Sequence, residues 1–443
     1  MKSSAPPDRS GLKTGLKKLF SGSAFIFGCR ITGAAVTFLT QVVMARWMGA
    51  AELGIYVLAF SWITILAVVA VAGLNGAAMR FIGQPLAADD HSAIQGFLLR
   101  SRQISMGISL LVALAMIGVA LSGYAGDSRY VYVYLLGAAA LPFYTLIIYY
   151  AGIANAFSWF GISFMPNNVV RPVVFFLAIA AFWYASGNLD ATVSMALHLL
   201  VIALLGLTVA GWCERSLRAR IRPAEPTFDT RLWLRTALPI MFMILFSSYF
   251  PAFTVIVAGP LLTNADIAIF NTAFRIALLV SFGVTAIDAF VSPEMMRLYA
   301  KGEQEALKSL VNRTTRTRFL IALSAVVIFA VAGEWILGFF GPEFITGYWV
   351  LIILGLTQLA QAAAGPAARL LSFTGHQDQG LYISMAALIL SAVLIWALAI
   401  PYGVMGAAVA SLIAIVTWCA GMSYAVASRL GIRPSLLSWQ RDD

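Results

Sequence analysis

Long apolar stretches alternate with short polar segments along the whole chain. An α-helix needs roughly 20 mainly apolar residues to cross the hydrocarbon core of a bilayer, because its backbone polar groups must be paired internally. By this rule the sequence predicts an all-α polytopic membrane protein with about twelve transmembrane helices and no sizeable soluble domain. The predicted spans lie near residues 20–44, 56–79, 103–124, 130–154, 168–187, 191–213, 237–258, 266–291, 319–340, 348–371, 380–400 and 404–427.

The first apolar stretch follows basic residues, as a signal peptide does, but it is too long for one and eleven more spans follow. We therefore expect a retained first helix, preceded by a cytoplasmic tail over 1–19. Within that tail, residues 10–20 place Lys13 and Lys17 on one face and leucines on another, which predicts a short interfacial helix. In the fourth and fifth spans, Pro142, Pro166 and Pro172 interrupt the helical pattern.

Composition agrees with a lipid-embedded chain. Of the 443 residues, 61% are hydrophobic and 11% are charged, whereas a soluble domain carries roughly 25% charged residues. The net charge of +10 would favour nucleic acid in a soluble protein, but here the basic residues lie in short loops and report orientation instead, so no nucleic-acid partner is expected. The three scattered cysteines fit neither a disulfide framework nor a metal site.

The distribution of basic residues predicts the orientation. With the N-terminus inside, the cytoplasmic segments hold 24 of the 29 lysines and arginines, the opposite loops hold 2, and 3 lie within spans. The positive-inside rule then places both termini in the cytoplasm, in a bacterial inner membrane.

The two halves of the chain repeat. Residues 51–60 align with residues 265–274 at a constant offset of 214. Six spans per half is an even number, so both halves enter the membrane in the same sense and form a parallel repeat. We expect an N-lobe over 20–213, a cytoplasmic linker over 214–236, a C-lobe over 237–427 and a cytoplasmic tail over 428–443. A substrate site between the lobes makes transport the leading interpretation.

Short motifs along the chain resemble, in order, those of polysaccharide-transporter flippases. The likeness covers nearly the whole chain; each motif alone is weak, being small and apolar, and the ordered set is fairly specific. The motifs are Ala-Arg-Trp-Met-Gly at 45–49, Glu-Leu-Gly-Ile-Tyr at 52–56, Gly-Leu-Asn-Gly-Ala-Ala-Met-Arg-Phe at 73–81, Gly-Glu at 333–334, Phe-Gly-Pro-Glu-Phe at 340–344 and Tyr-Gly-Val-Met-Gly-Ala-Ala at 402–408.

This resemblance is to the multidrug/oligosaccharidyl-lipid/polysaccharide (MOP) exporter superfamily, in the branch of Wzx-type flippases. It implies two six-helix lobes in a V-shaped, MATE-like fold that opens alternately to each side. It also implies that an undecaprenyl-pyrophosphate-linked oligosaccharide, such as an O-antigen or exopolysaccharide unit, moves from the cytoplasmic to the periplasmic leaflet. In related lipid II flippases, arginines on the first and eighth helices engage the pyrophosphate, and Arg30 and Arg275 occupy those helices here.

Charged residues within a membrane are costly and mark functional positions. Arg30 shares one face of the first span with Thr37 and Gln41, and Asn271 lies one turn before Arg275 on the eighth. A guanidinium can grip phosphate oxygens with two parallel hydrogen bonds. We therefore expect these side chains to bind the pyrophosphate, with pairing or packing as the alternative role.

Further polar residues are secondary candidates. Gln358 and Gln361 form a stripe on the tenth span with Arg369, as a cavity wall or a helix contact. Arg46 and Arg80 lie within the family-like motifs and would reach either the substrate at the cavity mouth or a lipid headgroup. Arg171 is expected to extend to the interface. For ion coupling the candidates are Asp288, which would otherwise pair with an arginine, and His198, which would otherwise be a hydrogen-bonded packing residue.

No motif predicts catalysis, a metal or a cofactor other than a coupling H⁺ or Na⁺. One alternative is a cation-coupled multidrug exporter of the same superfamily, which would favour acidic cavity residues. A polysaccharide polymerase or ligase is a second alternative, but such enzymes carry a large periplasmic loop. The expected partners are the lipid-linked oligosaccharide, membrane lipids, and a polymerase and glycosyltransferases that consume and supply it.

Overall fold

The computed structural model describes residues 9–122, 128–373 and 377–431. Within these ranges the chain is helical with short turns and contains no β-strand. Its α-helices are α1 Arg9–Val71, α2 Leu74–Ala87, α3 His91–Leu121, α4 Ser128–Ala156, α5 Phe160–Met165, α6 Arg171–Ser186, α7 Ala191–Arg220, α8 Thr230–Ala258, α9 Asn264–Leu278, α10 Val280–Lys301, α11 Gln304–Gly338, α12 Tyr348–Ala363, α13 Ala367–Phe373 and α14 Gln377–Leu430. A π-helix, Pro166–Val170, joins α5 to α6, and two 3₁₀ turns span Gly259–Leu261 and Pro342–Gly347.

Glycine turns divide the two longest helices. Ten apolar stretches of the described chain are long enough to cross a membrane. Two of them bend at a glycine with positive φ, Gly49 at 75° within α1 and Gly403 at 55° within α14. Each of these two stretches is long enough to cross twice, which agrees with the prediction of about twelve spans. Leucine and aromatic side chains such as Leu111, Leu114 and Trp335 are exposed on the outer helices, where lipid would cover them.

The helices do not all coincide with the predicted spans. The second predicted span breaks at Ala72 and Gly73, both with positive φ, the eighth breaks between α9 and α10, and the tenth breaks at Gly365 (φ 66°). In contrast, α4 continues through Pro142 as a single helix. The third helix begins twelve residues before the predicted span, at His91, because Oδ1 of Asp90 accepts a hydrogen bond from the amide of Ala93 and caps it.

The helices form an N-lobe of α1–α7 and a C-lobe of α8–α14, joined by residues 221–229. We call the side that carries this linker the linker end and the opposite side the far end. The chain from Arg9 is helical and continuous with the first span. Residues 1–8 and most of the predicted C-terminal tail, from 432 onward, lie outside the described residues.

At the far end the two lobes are in direct contact. Arg46 donates hydrogen bonds to the carbonyls of Gly338 (3.2 Å) and Phe339 (2.6 Å), which cap the end of α11. The amide of Ala50 donates to Glu343 at 3.1 Å. A Cβ on Gly54 would lie 1.8 Å from the carbonyl oxygen of Asn264, so glycine is required for this close helix approach. These contacts close the far end of the space between the lobes.

Candidate substrate cavity

A cavity of about 540 Å³ lies between the lobes. Its walls come from α1, α4, the π-helix and α6 of the N-lobe and from α8, α9 and α10 of the C-lobe. The polar lining residues are Arg30, Thr37, Tyr144, Asn167, Asn168, Arg171, Ser248, Tyr249 and Arg275. Both lobes therefore contribute polar groups to one space, as expected for a transporter with a site at the repeat interface.

Three arginines from three separate helices converge on this cavity. Arg30 is exposed to it from α1, Arg275 lies half-buried on α9, and Arg171 is half-buried at the start of α6. No aspartate or glutamate lines the cavity among the residues that the structure describes. Like charges in a site of low dielectric repel one another, and only an anion relieves this repulsion. The cavity is therefore suited to a negatively charged group.

A buried hydrogen-bonded chain holds Arg171 in place. Its Nη1 lies 3.1 Å from Nε2 of His198, whose Nδ1 lies 2.6 Å from the hydroxyl of Tyr56. Its Nε donates to Oδ1 of Asn167 at 3.0 Å, and its guanidinium also lies 5.7 Å from the ring centroid of Tyr144. Asn167 lies in the π-helix, a distortion that often occurs at functional sites. The expectation that Arg171 extends to the interface was wrong, because these partners direct it into the cavity.

The cavity continues towards the far end as a narrow space of about 90 Å³, which Arg171 and Arg275 also line. Gln41 and Asn271, two of the predicted binding residues, lie here, as their helical spacing from Arg30 and Arg275 predicts. Nε2 of Gln41 donates to the hydroxyl of Thr272 at 3.1 Å, across the lobes. Nδ2 of Asn271 is buried without a hydrogen-bond partner among the described residues, so it is available as a donor.

Two of the predicted contacts lie away from this cavity. Arg46 is occupied by the carbonyls at the far end. Arg80 is exposed on α2, with its guanidinium 5.6 Å from the ring centroid of Phe81. Neither side chain is among those that line the two spaces.

The remaining candidates meet in a second cavity, of about 350 Å³, inside the C-lobe. Gln358 and Gln361 line it together with Asp288. Oδ1 of Asp288 lies 3.3 Å from Nη1 of Arg318, and Oδ2 lies 3.6 Å from Nε of Arg369. Asp288 thus pairs with arginines, the alternative considered from sequence. Two neighbouring cations oppose Na⁺ binding here, and the coupling roles of Asp288 and His198 stay predictions.

Two arginines of these sites were missed from sequence. Arg318 belongs to a basic segment that was interpreted as a loop, but it is buried in α11 with 6% of its surface exposed. Nothing in the spacing of Arg313, Arg316 and Arg318 distinguishes the buried one. Arg171 did carry a signal, because Asn167, Asn168 and Arg171 form a polar group between two prolines within an apolar stretch.

The sequence family is shown by a match over more than half of the chain. Residues 19–298 match the family described as "Polysaccharide biosynthesis protein". The chain belongs to this family. A curated relative, the probable low-salt glycan biosynthesis flippase Agl15 of Haloferax volcanii, is 22% identical over 407 residues, which cover 89% of this chain and 80% of the relative.

Solved structures show the same fold. An inward-facing MATE family multidrug resistance transporter of the MOP superfamily superposes with a TM-score of 0.69 at 16% identity, covering 92% of this chain and 94% of that one. A MOP superfamily transporter from Pyrococcus furiosus, described as having a binding pocket of reverse polarity, superposes with a TM-score of 0.64 at 15% identity, covering 93% and 95%. The expected MATE-like fold is confirmed.

Proposed function

We propose that this protein is a flippase that moves an undecaprenyl-pyrophosphate-linked oligosaccharide from the cytoplasmic to the periplasmic leaflet of a bacterial inner membrane. The observation that carries the proposal is the convergence of Arg30, Arg171 and Arg275 on one cavity without a lining carboxylate. A pyrophosphate carries several negative charges and must cross the hydrocarbon region in a shielded space. Arginine remains protonated there and can bind phosphate oxygens in a fork.

The shape of the cavity supports alternating access. Asn167 and Asn168 lie in the linker-end half of the span Phe160–Ser186, and the far end is closed by Arg46, Ala50 and Gly54. With the linker in the cytoplasm, as the basic residues predict, this conformation receives a headgroup from the cytoplasmic side. Breaking the far-end contacts and closing the linker end would release it to the periplasm.

The alternatives have less support. A cation-coupled exporter of cationic drugs needs carboxylates at its binding site, and the described cavity presents arginines. A polymerase or ligase needs a catalytic group positioned beside an activating partner. Here the histidine closest to the cavity is engaged by Arg171 and Tyr56. Membership of the polysaccharide biosynthesis family and the flippase relative both favour transport of a glycan, which glycosyltransferases would supply and a polymerase would consume.

The test is transport by arginine variants. Purified protein reconstituted in liposomes should flip a lipid-linked oligosaccharide, measured as the fraction that becomes accessible to an enzyme added outside. Arg30→Ala and Arg275→Ala should each reduce the rate by about tenfold or more, since losing one charge-assisted hydrogen bond costs roughly 1.5–3 kcal/mol. Lysine at either position should restore only part of the flipping rate, because it keeps the charge but cannot make two parallel hydrogen bonds as arginine does.

Arg313→Ala is the matched control, since Arg313 is exposed on α11 and lies outside the cavities. It should flip at the wild-type rate. Full activity of both alanine variants at normal protein levels would show that these arginines do not bind the substrate. Export of a cationic dye in place of the glycan lipid would favour the multidrug alternative.

A further inference from the structure

The C-lobe cavity contains an ionic cluster with an excess of positive charge. Asp288 on α10 is 8% exposed and Arg318 on α11 is 6% exposed, while Arg369 on α13 is half-buried. Both guanidinium groups lie within 3.6 Å of the same carboxylate. Asp288 is the only carboxylate among the described residues that line this cavity. Two cations and one anion leave one uncompensated positive charge.

Several polar atoms of this cluster lack hydrogen bonds. Nε and Nη1 of Arg318 are buried without a hydrogen-bond partner among the described residues, and so is Oδ1 of Asp288. The 3.3 Å approach of Nη1 to Oδ1 is therefore an electrostatic contact without an aligned hydrogen bond. Nη2 of Arg318 makes only a long contact, 3.5 Å, with the carbonyl of Gln361. A buried guanidinium with unmet donors is costly unless an acceptor reaches it.

We propose that the C-lobe cavity binds a small monovalent inorganic anion, of the size and charge of chloride, at Arg318. One negative charge makes the cluster neutral and supplies an acceptor for the free donors of Arg318. The cavity of about 350 Å³ accommodates such an ion together with water. The hydroxyl of Thr285 and the amide of Gln358, which has a second N–H besides the one donated to Thr357, line the same space as further donors.

The surroundings select against other ligands. A cation such as Na⁺ would raise the cluster charge to two positive units in a medium of low dielectric. This cavity is separate from the central cavity that is proposed to hold the pyrophosphate. Every residue that lines it belongs to the C-lobe, and only Leu278 lines both cavities. The proposed anion therefore stabilises the C-lobe and is distinct from the transported substrate.

Thermal unfolding of the purified protein tests the site. The transition is followed while sodium chloride replaces sodium gluconate at constant ionic strength, and a second series uses choline chloride. A ligand that binds only the folded state raises the midpoint with its concentration. The midpoint should rise and saturate with chloride in both series. No rise, or a rise that follows sodium and not chloride, would overturn the proposal.

Substitutions test whether the chloride that stabilises the protein binds at Arg318. Arg318→Gln should weaken chloride binding by at least tenfold, whereas Arg313→Gln, an exposed change on the same helix, should leave it unaltered. A chloride effect that persists in Arg318→Gln would belong to the central arginines and would contradict the site. Asp288→Asn keeps both cations and removes their counter-charge, so its half-saturating chloride concentration should fall by about tenfold. This variant decides the matter if Arg318→Gln fails to fold, and an unchanged or weaker affinity in it would overturn the proposal.

Discussion

Nη1 of Arg171 lies 3.1 Å from Nε2 of His198, so the imidazole determines where this guanidinium points. Arginine is only a donor, and Nε2 must therefore accept the bond. The proton of the neutral ring then lies on Nδ1, which donates to the Tyr56 hydroxyl at 2.6 Å. A second proton on the ring would break the bond to Arg171 and place two cations side by side. While that bond exists, His198 acts as a positioning residue for Arg171.

Substitutions of His198 should separate positioning from packing. The ring lies between Phe60 and Phe175, with centroid distances of 4.6 and 4.2 Å. His198→Phe keeps an aromatic ring there but removes the acceptor, whereas His198→Gln keeps an acceptor near Nε2. We expect the concentration of glycan lipid for half-maximal flipping to rise by about tenfold in the phenylalanine variant, equivalent to roughly 1.4 kcal/mol. The glutamine variant should recover most of this loss. Equal behaviour of both variants would assign His198 to packing alone.

A glycine in α1 controls the position of the π-helix. A Cβ on Gly33 would lie 1.7 Å from the carbonyl oxygen of Asn168, whereas a Cβ on Gly28 would have no neighbour within 4 Å. Gly33→Ala should therefore push Pro166–Val170 away from α1 and displace Arg171. Overpacking of this kind costs about 1–3 kcal/mol. The thermal midpoint and the flipping rate should both fall.

Gly28→Ala is the matched control for this change. It makes the same substitution five residues earlier in the same helix, at a position that the structure leaves open. It should preserve both the midpoint and the rate. A Gly33→Ala protein with wild-type stability and transport would mean that the contact between α1 and the π-helix has no functional consequence.

Much of the fold follows from hydrophobicity alone, because a span must be apolar over roughly 20 residues whatever its neighbours are. The repeat of residues 51–60 and 265–274 is also seen in the burial of its side chains. Leu53 and Ile267, which occupy the same position in the two copies, each have 1% of their surface exposed. The breaks at Gly73 and Gly365 were not predictable in the same way. Glycine is common in membrane helices for close packing, and only the backbone reveals which glycines adopt positive φ.

The part of the candidate site that depends on spacing within one helix was predictable from the sequence. Arg30, Gln41, Asn271 and Arg275 share cavity-facing surfaces because residues three, four or seven apart lie on one face of a helix. Contacts between distant helices have no such local signal. The pairing of Asp288 with Arg318, and the occupation of Arg46 by two carbonyls of the other lobe, depend on tertiary packing that the sequence does not display.

Arg46 is expected to stabilise the conformation that is closed at the far end. Its hydrogen bonds to Gly338 and Phe339 are exposed, so their net contribution is about 1 kcal/mol. Arg46→Ala should therefore shift the equilibrium towards far-end opening by about fivefold. A cysteine at Thr37, which lines both spaces between the lobes, should react correspondingly faster with an impermeant thiol reagent applied from the far side.

Glu334→Ala provides the comparison, because it removes an exposed charge from the same end of α11. Its labelling rate at the introduced cysteine should equal that of the parent protein. Unchanged labelling in Arg46→Ala would show that the far end is held closed by other contacts, such as the approach of Gly54 to Asn264.

The orientation of the chain is the expectation on which the direction of transport depends. Ser186 and Thr263 are exposed at the far end, and Pro223 and Glu303 are exposed at the linker end. The bias of basic residues towards the linker end predicts that this end lies in the cytoplasm. Single cysteines at Ser186 or Thr263 should therefore react with an impermeant reagent added to intact spheroplasts, and cysteines at Pro223 or Glu303 should react only after permeabilisation. The three native cysteines are buried, which keeps the background low. The reverse pattern would place the arginine-lined cavity open to the periplasm in this conformation, and a substrate that enters from the cytoplasm would then require the other conformation.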